Sequence, residues 1–142
     1  MYFIESETTD ICHEESTTMI SQRGFVSTPN YPFNYPNGQD CILKIQAPYA
    51  DQKIMLYTID QSLEENQTDC ADWLHLFDGH RALTYCAARA RKQAMVTLDD
   101  WLEIKFYSDQ VNSRKGFWLY YEGTRANWFS KTKFSYTPTR LF

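Results

Sequence analysis

Residues 24–41 constrain this chain more than any other stretch. Two triplets, Asn30-Tyr31-Pro32 and Asn34-Tyr35-Pro36, each end in a proline of fixed φ. Such a segment cannot be helix and cannot sit inside a central strand. Each tyrosine precedes a proline and is pushed towards extended geometry. Asn37-Gly38 then turns the chain just before Cys41 and the apolar positions Ile42, Leu43 and Ile45. A tract this rigid and this aromatic suits the crossing of one end of a β-sandwich.

Beyond the tract, short runs of strand character alternate with turns. They are Ile42–Gln46, ending before Pro48; Lys53–Ile59, ending in a polar, acidic stretch; and Trp73–Phe77, stopping at Asp78-Gly79. Leu83–Cys86, Trp101–Phe106 and Phe117–Tyr121 follow, the second with Leu102, Ile104 and Phe106 on one face. Runs of five to seven residues at this spacing predict an all-β fold, an antiparallel sandwich of two sheets. Residues 87–93 have helical composition but are too few to change the class. Ten tyrosines, nine phenylalanines and four tryptophans fit strands better than helices. At 142 residues the length suits one domain with a real core.

The four cysteines fit two disulfides in any of three pairings. None stands in a Cys-x-x-Cys pair and there are three histidines, which argues against a zinc site. The triplet Asn66-Gln67-Thr68 is an N-glycosylation sequon. Cysteines and sequon together predict an extracellular protein. No run approaches the ~20 apolar residues of a membrane span and no leader-like run precedes the start, so no direct membrane insertion is expected, and the chain reads as a mature piece of something longer. Residues 1–123 carry 10 basic and 18 acidic side chains, whereas the last nineteen carry four basic ones and no acid. An acidic body points away from nucleic acid and towards cations, either metal ions or lysine-bearing proteins.

In order and spacing, Gly24, Ser27, Pro29-Asn30-Tyr31-Pro32, Tyr35-Pro36 and Cys41 resemble the opening signature of the CUB domain. The likeness runs over residues 12–123 and takes in the acidic stretch before Cys70, Asp78-Gly79, Phe106-Tyr107-Ser108-Asp109 and Gly116-Phe117. It implies a jelly-roll-like sandwich with Cys12–Cys41 and Cys70–Cys86 bridges, each stabilising by roughly 3–4 kcal/mol on a chain-entropy argument. The resulting division is an acidic lead at 1–11, the CUB domain at 12–123 and a basic, aromatic extension at 124–142. Leu43 stands where the family usually has tryptophan, which alters core packing and not the fold.

Many CUB domains bind calcium at one end of the sandwich, and the resemblance places that site on Glu64, Asp72 and Asp109, with Val111 and Asn112 in the following loop. Tyr35 matches the residue that steadies the cluster. Calcium takes six to eight oxygens, and a cation relieves the repulsion of gathered carboxylates. Asp72 lies two residues after Cys70 where the family has three, although the step from Glu64 to Asp72 keeps the usual length. Glu65 and Asp69 are the substitutes if the register differs, and a merely solvated acidic loop is the plain alternative.

The resemblance further implies a non-catalytic recognition module. A lysine or arginine of an extracellular protein ligand or receptor would reach the calcium-ordered edge at Tyr35, Glu64 and Asp109. Trp118 and Tyr120, opposite Phe117, Leu119 and Tyr121, could add an aromatic patch, or could simply reflect partial cover of both sheet faces. Neighbouring domains of the same parent chain are expected. A structural spacer in a receptor ectodomain, or a substrate-positioning accessory of an extracellular protease, are the alternatives. His75, Asp78 and His80 are close in sequence, but His75 alternates with Leu74 and Leu76 and Asp78-Gly79 reads as a turn. No serine elbow, zinc-protease or phosphate-loop motif occurs. The extension, with Trp128, Phe129, Phe134, Tyr136 and Phe142, is too aromatic for a linker and is expected to pack on the acidic body or a partner, or to begin a next domain.

Overall fold

The computed structural model describes residues 8–13, 17–64, 70–86 and 93–125. Among the described residues, ten strands form two five-stranded sheets. In chain order they are β1 (Thr8–Asp10), β2 (Thr17–Ile20), β3 (Arg23–Ser27), β4 (Asp40–Gln46), β5 (Gln52–Ser62), β6 (Trp73–Phe77), β7 (Ala82–Tyr85), β8 (Gln93–Val96), β9 (Trp101–Tyr107) and β10 (Gly116–Arg125). One sheet runs β1-β3-β10-β5-β8 and the other β2-β4-β9-β6-β7. The expected sandwich is therefore present, with both disulfides in the pairing the resemblance implied.

Two pairings are parallel, β1 with β3 and β2 with β4. Both lie at the same side of the sandwich, and each connects its partners through the opposite sheet, as a parallel pair requires. These short edge strands are polar (Thr8, Thr9 and Asp10; Thr17 and Thr18), so no alternating apolar pattern announces them. The Cys12–Cys41 bridge ties the crossover between them to β4.

Alternation fixes the core. In β9, Leu102, Ile104 and Phe106 are wholly buried while Trp101, Glu103, Lys105 and Tyr107 between them are partly exposed. In β10, Phe117, Leu119 and Tyr121 point inward and Trp118 and Tyr120 outward. Strand β5 runs eleven residues, longer than its apolar pattern predicts, and its register against β10 shifts between Trp118 and Leu119, passing over Ile59. Leu43 lies in the core, 2% exposed, where it packs with Ile45 and Ile104 in one apolar cluster.

The proline tract crosses the end of the sandwich. Its second tyrosine, Tyr35, is 1% exposed and sets its ring edge-on to Phe106 at 5.1 Å; Phe106 in turn meets Phe117 of the other sheet at 5.6 Å. The tract is thus anchored in both sheets at the end where β9 finishes and β10 begins. Gly38 turns with φ +71°, and its N–H donates to the Asp109 carbonyl at 2.7 Å. Gly116, with φ +91°, opens β10 against Thr28, where any Cβ would collide with the threonine hydroxyl. Of the expected helical stretch, residue 93 opens β8, and 87–92 lie outside the described residues.

Candidate metal centre

Three carboxylates converge at the end crossed by the tract. Glu64 follows β5, Asp72 precedes β6 and Asp109 follows β9, and one oxygen from each lies within 4.8 Å of the others. Glu64 and Asp72 are 6% and 0% exposed, and Asp109 is partly open to solvent. Sequence separation had hidden how the three are joined. The Asp72 N–H donates to the Glu64 carbonyl at 3.3 Å, and the Asp109 N–H donates to Asp72 Oδ1 at 2.8 Å.

Tyr35 is the floor of the cluster. Its hydroxyl donates to Asp72 Oδ2 at 2.5 Å and accepts from the Glu64 N–H at 3.0 Å, so one phenol orients two of the three acids. Burial, with the Asp72 hydrogen bond and charge, drives its own pKa far above the ordinary tyrosine value. The 109–114 loop closes the rim. Val111 N–H donates to Asp109 Oδ1 at 3.2 Å, Asn112 takes φ +61°, and the Arg114 carbonyl accepts from the Tyr35 N–H at 3.0 Å.

Burial and mutual repulsion set the electrostatics of the three acids. Burial raises the Glu64 carboxyl above its usual range, and the Asp109 and Asp72 charges raise it further, against a pull from the Asn112 side chain and Arg114. Burial also raises Asp72, outweighing the donors from Tyr35 and Asp109. Glu64 Oε1 is buried with no hydrogen-bond partner among the described residues. A buried carboxylate oxygen without a donor is costly unless a cation meets it. The residues therefore fit a hard, oxygen-seeking ion such as calcium.

Of the other residues singled out in the sequence, Trp118 stacks on Phe25 at 5.0 Å and on Tyr31 at 6.0 Å. The Tyr120 hydroxyl donates to Glu122 at 2.9 Å, and burial together with that carboxylate raises its pKa to about 12. Both lie half-buried on the outer face of the β3–β10–β5 sheet. His75 bonds Thr84 and His80 bonds Asp99, each at 2.9 Å on the exposed side of the fold. Asn66, Glu65 and Asp69 lie outside the described residues, as does the extension beyond residue 125. Sequence reasoning missed Ser108, whose hydroxyl donates to the Pro36 carbonyl and accepts from the Gln39 N–H, both at 2.9 Å, clamping the tract to the strand that delivers Asp109. Its place beside Asp109 was the available signal.

Comparison with known proteins agrees with this geometry. Pig (Sus scrofa) cubilin is 31% identical over 131 residues, which cover 87% of this chain and 4% of cubilin. The chain thus corresponds to a small part of a much longer relative. The full extracellular region of zebrafish Gpr126/Adgrg6 superposes with a TM-score of 0.74 at 26% identity, over 83% of this chain and 15% of that one. The CUB2 domain of MASP-1 bound to Ca2+ matches with a TM-score of 0.67 at 19% identity, over 77% of this chain and 99% of that one, a likeness of fold. CUB domains occur in the extracellular regions of secreted and membrane proteins, an oxidising setting in which both disulfides persist. With the CUB domain profile matching residues 12–121, from the first cysteine to the last inward-facing tyrosine of β10, the chain belongs to the CUB domain family.

Proposed function

We propose that this chain is a non-catalytic extracellular recognition module that binds calcium at Glu64, Asp72 and Asp109 and presents that end to a partner protein. The observation that carries the reading is the convergence of three carboxylates, one of them with a buried oxygen, Glu64 Oε1, that has no hydrogen-bond partner among the described residues. A Val111 carbonyl and the Asn112 side chain would complete the ligand set from the adjoining loop. Bound there, the ion would offset the mutual repulsion of the acids and fix the loops that carry them. The Ca2+-bound MASP-1 CUB2 domain, of the same fold, supports the choice of ion.

The partner in this reading is a protein ligand or receptor that supplies a lysine or arginine. An ammonium or guanidinium group suits an end where Asp109 stays partly open to solvent while Glu64 and Asp72 are buried against the metal. One exposed ion pair contributes about 0–1 kcal/mol, so repeated modules or added apolar contacts must supply the remaining affinity. The two histidine pairs are exposed turn and strand contacts, which supports a binding role over acid–base chemistry.

Isothermal titration of the chelator-treated domain with calcium tests the site. One ion per chain, lost in Glu64→Ala, is the expected result. The absence of saturable heat would contradict it.

A further inference from the structure

The acidic end is framed by two exposed apolar side chains whose exposure folding does not require. Phe33 is 76% exposed and Val111 58% exposed. Each is held out by backbone hydrogen bonds on a loop that also builds the acidic site. Phe33 N–H donates to the Asn30 carbonyl at 2.7 Å, in the turn that leads into Tyr35, and Val111 N–H donates to the Asp109 carboxylate at 3.2 Å. The two loops are tied together by Tyr35 N–H on the Arg114 carbonyl, at 3.0 Å, and by Gly38 N–H on the Asp109 carbonyl, at 2.7 Å. Phe33 and Val111 are therefore presented from one hydrogen-bonded rim and not from independent loops.

Resting on the reading just given, we propose that Phe33 and Val111 are the specificity-determining apolar jaws of the docking end. The occupant is a protein segment whose lysine or arginine is flanked by apolar side chains. Charge complementarity selects the cation: Glu64, Asp72 and Asp109 gather at this end, and Asp109 stays partly open to solvent. The jaws select what stands beside it. A lone cation over a solvated rim binds weakly, whereas burial of an exposed phenylalanine and valine adds contact area on loops whose backbones are already hydrogen-bonded in place. Because the carboxylate that orients Val111 is also one of the converging acids, occupation of the acidic site and presentation of the jaw are coupled.

The test uses surfaces coated with three synthetic peptides, with Leu-Lys-Leu, Ser-Lys-Ser or Leu-Gln-Leu at their centres, and steady-state binding of the domain at ~2 mM calcium. The Leu-Lys-Leu surface is expected to bind about tenfold more tightly than the Ser-Lys-Ser surface. Phe33→Ser and Val111→Ser should each remove most of that difference, as expected when a central apolar contact is lost. Leu98→Ser, an exposed apolar change on the turn before β9 and so at the other end of that strand, serves as control and should change nothing. Equal binding of the two lysine peptides, unchanged in Phe33→Ser, overturns the jaws but leaves the cation site standing. Binding of Leu-Gln-Leu equal to Leu-Lys-Leu, or binding indifferent to chelator, overturns the underlying reading as well. Retention of the calcium-dependent melting shift shows that the variants are folded and metal-competent.

Discussion

The Tyr35 hydroxyl and Asp72 Oδ2 are joined by a 2.5 Å hydrogen bond in the buried floor of the acidic end. The same hydroxyl accepts the Glu64 N–H, so a residue of the proline tract sets the geometry of acids that follow one strand and precede another. Tyr35→Phe keeps the ring on Phe106 but strands both partners. The expected loss is about 1–3 kcal/mol of stability, the usual cost of unmade buried hydrogen bonds, with weaker calcium binding. Urea unfolding with and without calcium measures both.

Burial and mutual repulsion make Glu64 costly to ionise in the calcium-free domain. Its folded pKa is raised above the unfolded value, so it contributes a penalty that sets in as pH rises through the carboxylate range and persists at neutral pH. Glu64→Gln is therefore expected to melt above the wild type in chelator, yet to gain nothing from calcium. A thermal scan of both proteins in both conditions checks the opposite signs.

Asp72 is raised in the same direction, so protons and calcium compete for one site. Calcium affinity should fall progressively from pH 7.5 to pH 5, as bound protons have to leave before the ion enters. Calorimetric titrations at the two pH values give the comparison directly. Equal affinities would mean that the buried acids do not hold the ion.

Asp78 behaves in the contrary sense. Against the opposing effect of burial, the N–H groups of Arg81, His80 and Leu98 and the Arg81 guanidinium hold its carboxyl well below the usual range. The Leu98 contact also pins the β6–β7 turn to the turn after β8, in the other sheet. Its stabilisation is complete above the unfolded pKa of ~3.9 and is lost as pH falls through the depressed folded value. Asp78→Asn should cost about 2–4 kcal/mol at pH 7, and the gap to wild type should narrow below pH ~4. Denaturant midpoints at pH 7 and pH 3 measure it.

Much of this was legible in the chain because its signals are local. Leu102, Ile104 and Phe106 alternate without interruption, the prolines forbid helix, and Asn37-Gly38 marks its own turn. The short edge strands were not legible: Thr8–Asp10 and Thr17–Ile20 carry no apolar period and owe their structure to parallel pairing with residues that follow. Glu64, Asp72 and Asp109 could be named by resemblance, but the Tyr35 and Ser108 hydrogen bonds that assemble the end are contacts across the fold. Asp78 looked like an ordinary turn residue, and only its burial shows how many donors it satisfies.

The most direct measurement is thermal melting in ~2 mM calcium and again in chelator, for the wild type and Asp109→Ala. With a dissociation constant of ~0.1 mM, mass action stabilises by about 1.8 kcal/mol, or about 4–7 °C for a domain of this size. A shift of that order in the wild type and none in Asp109→Ala is the predicted result. Identical melting of the wild type in the two conditions would contradict a calcium-ordered docking end.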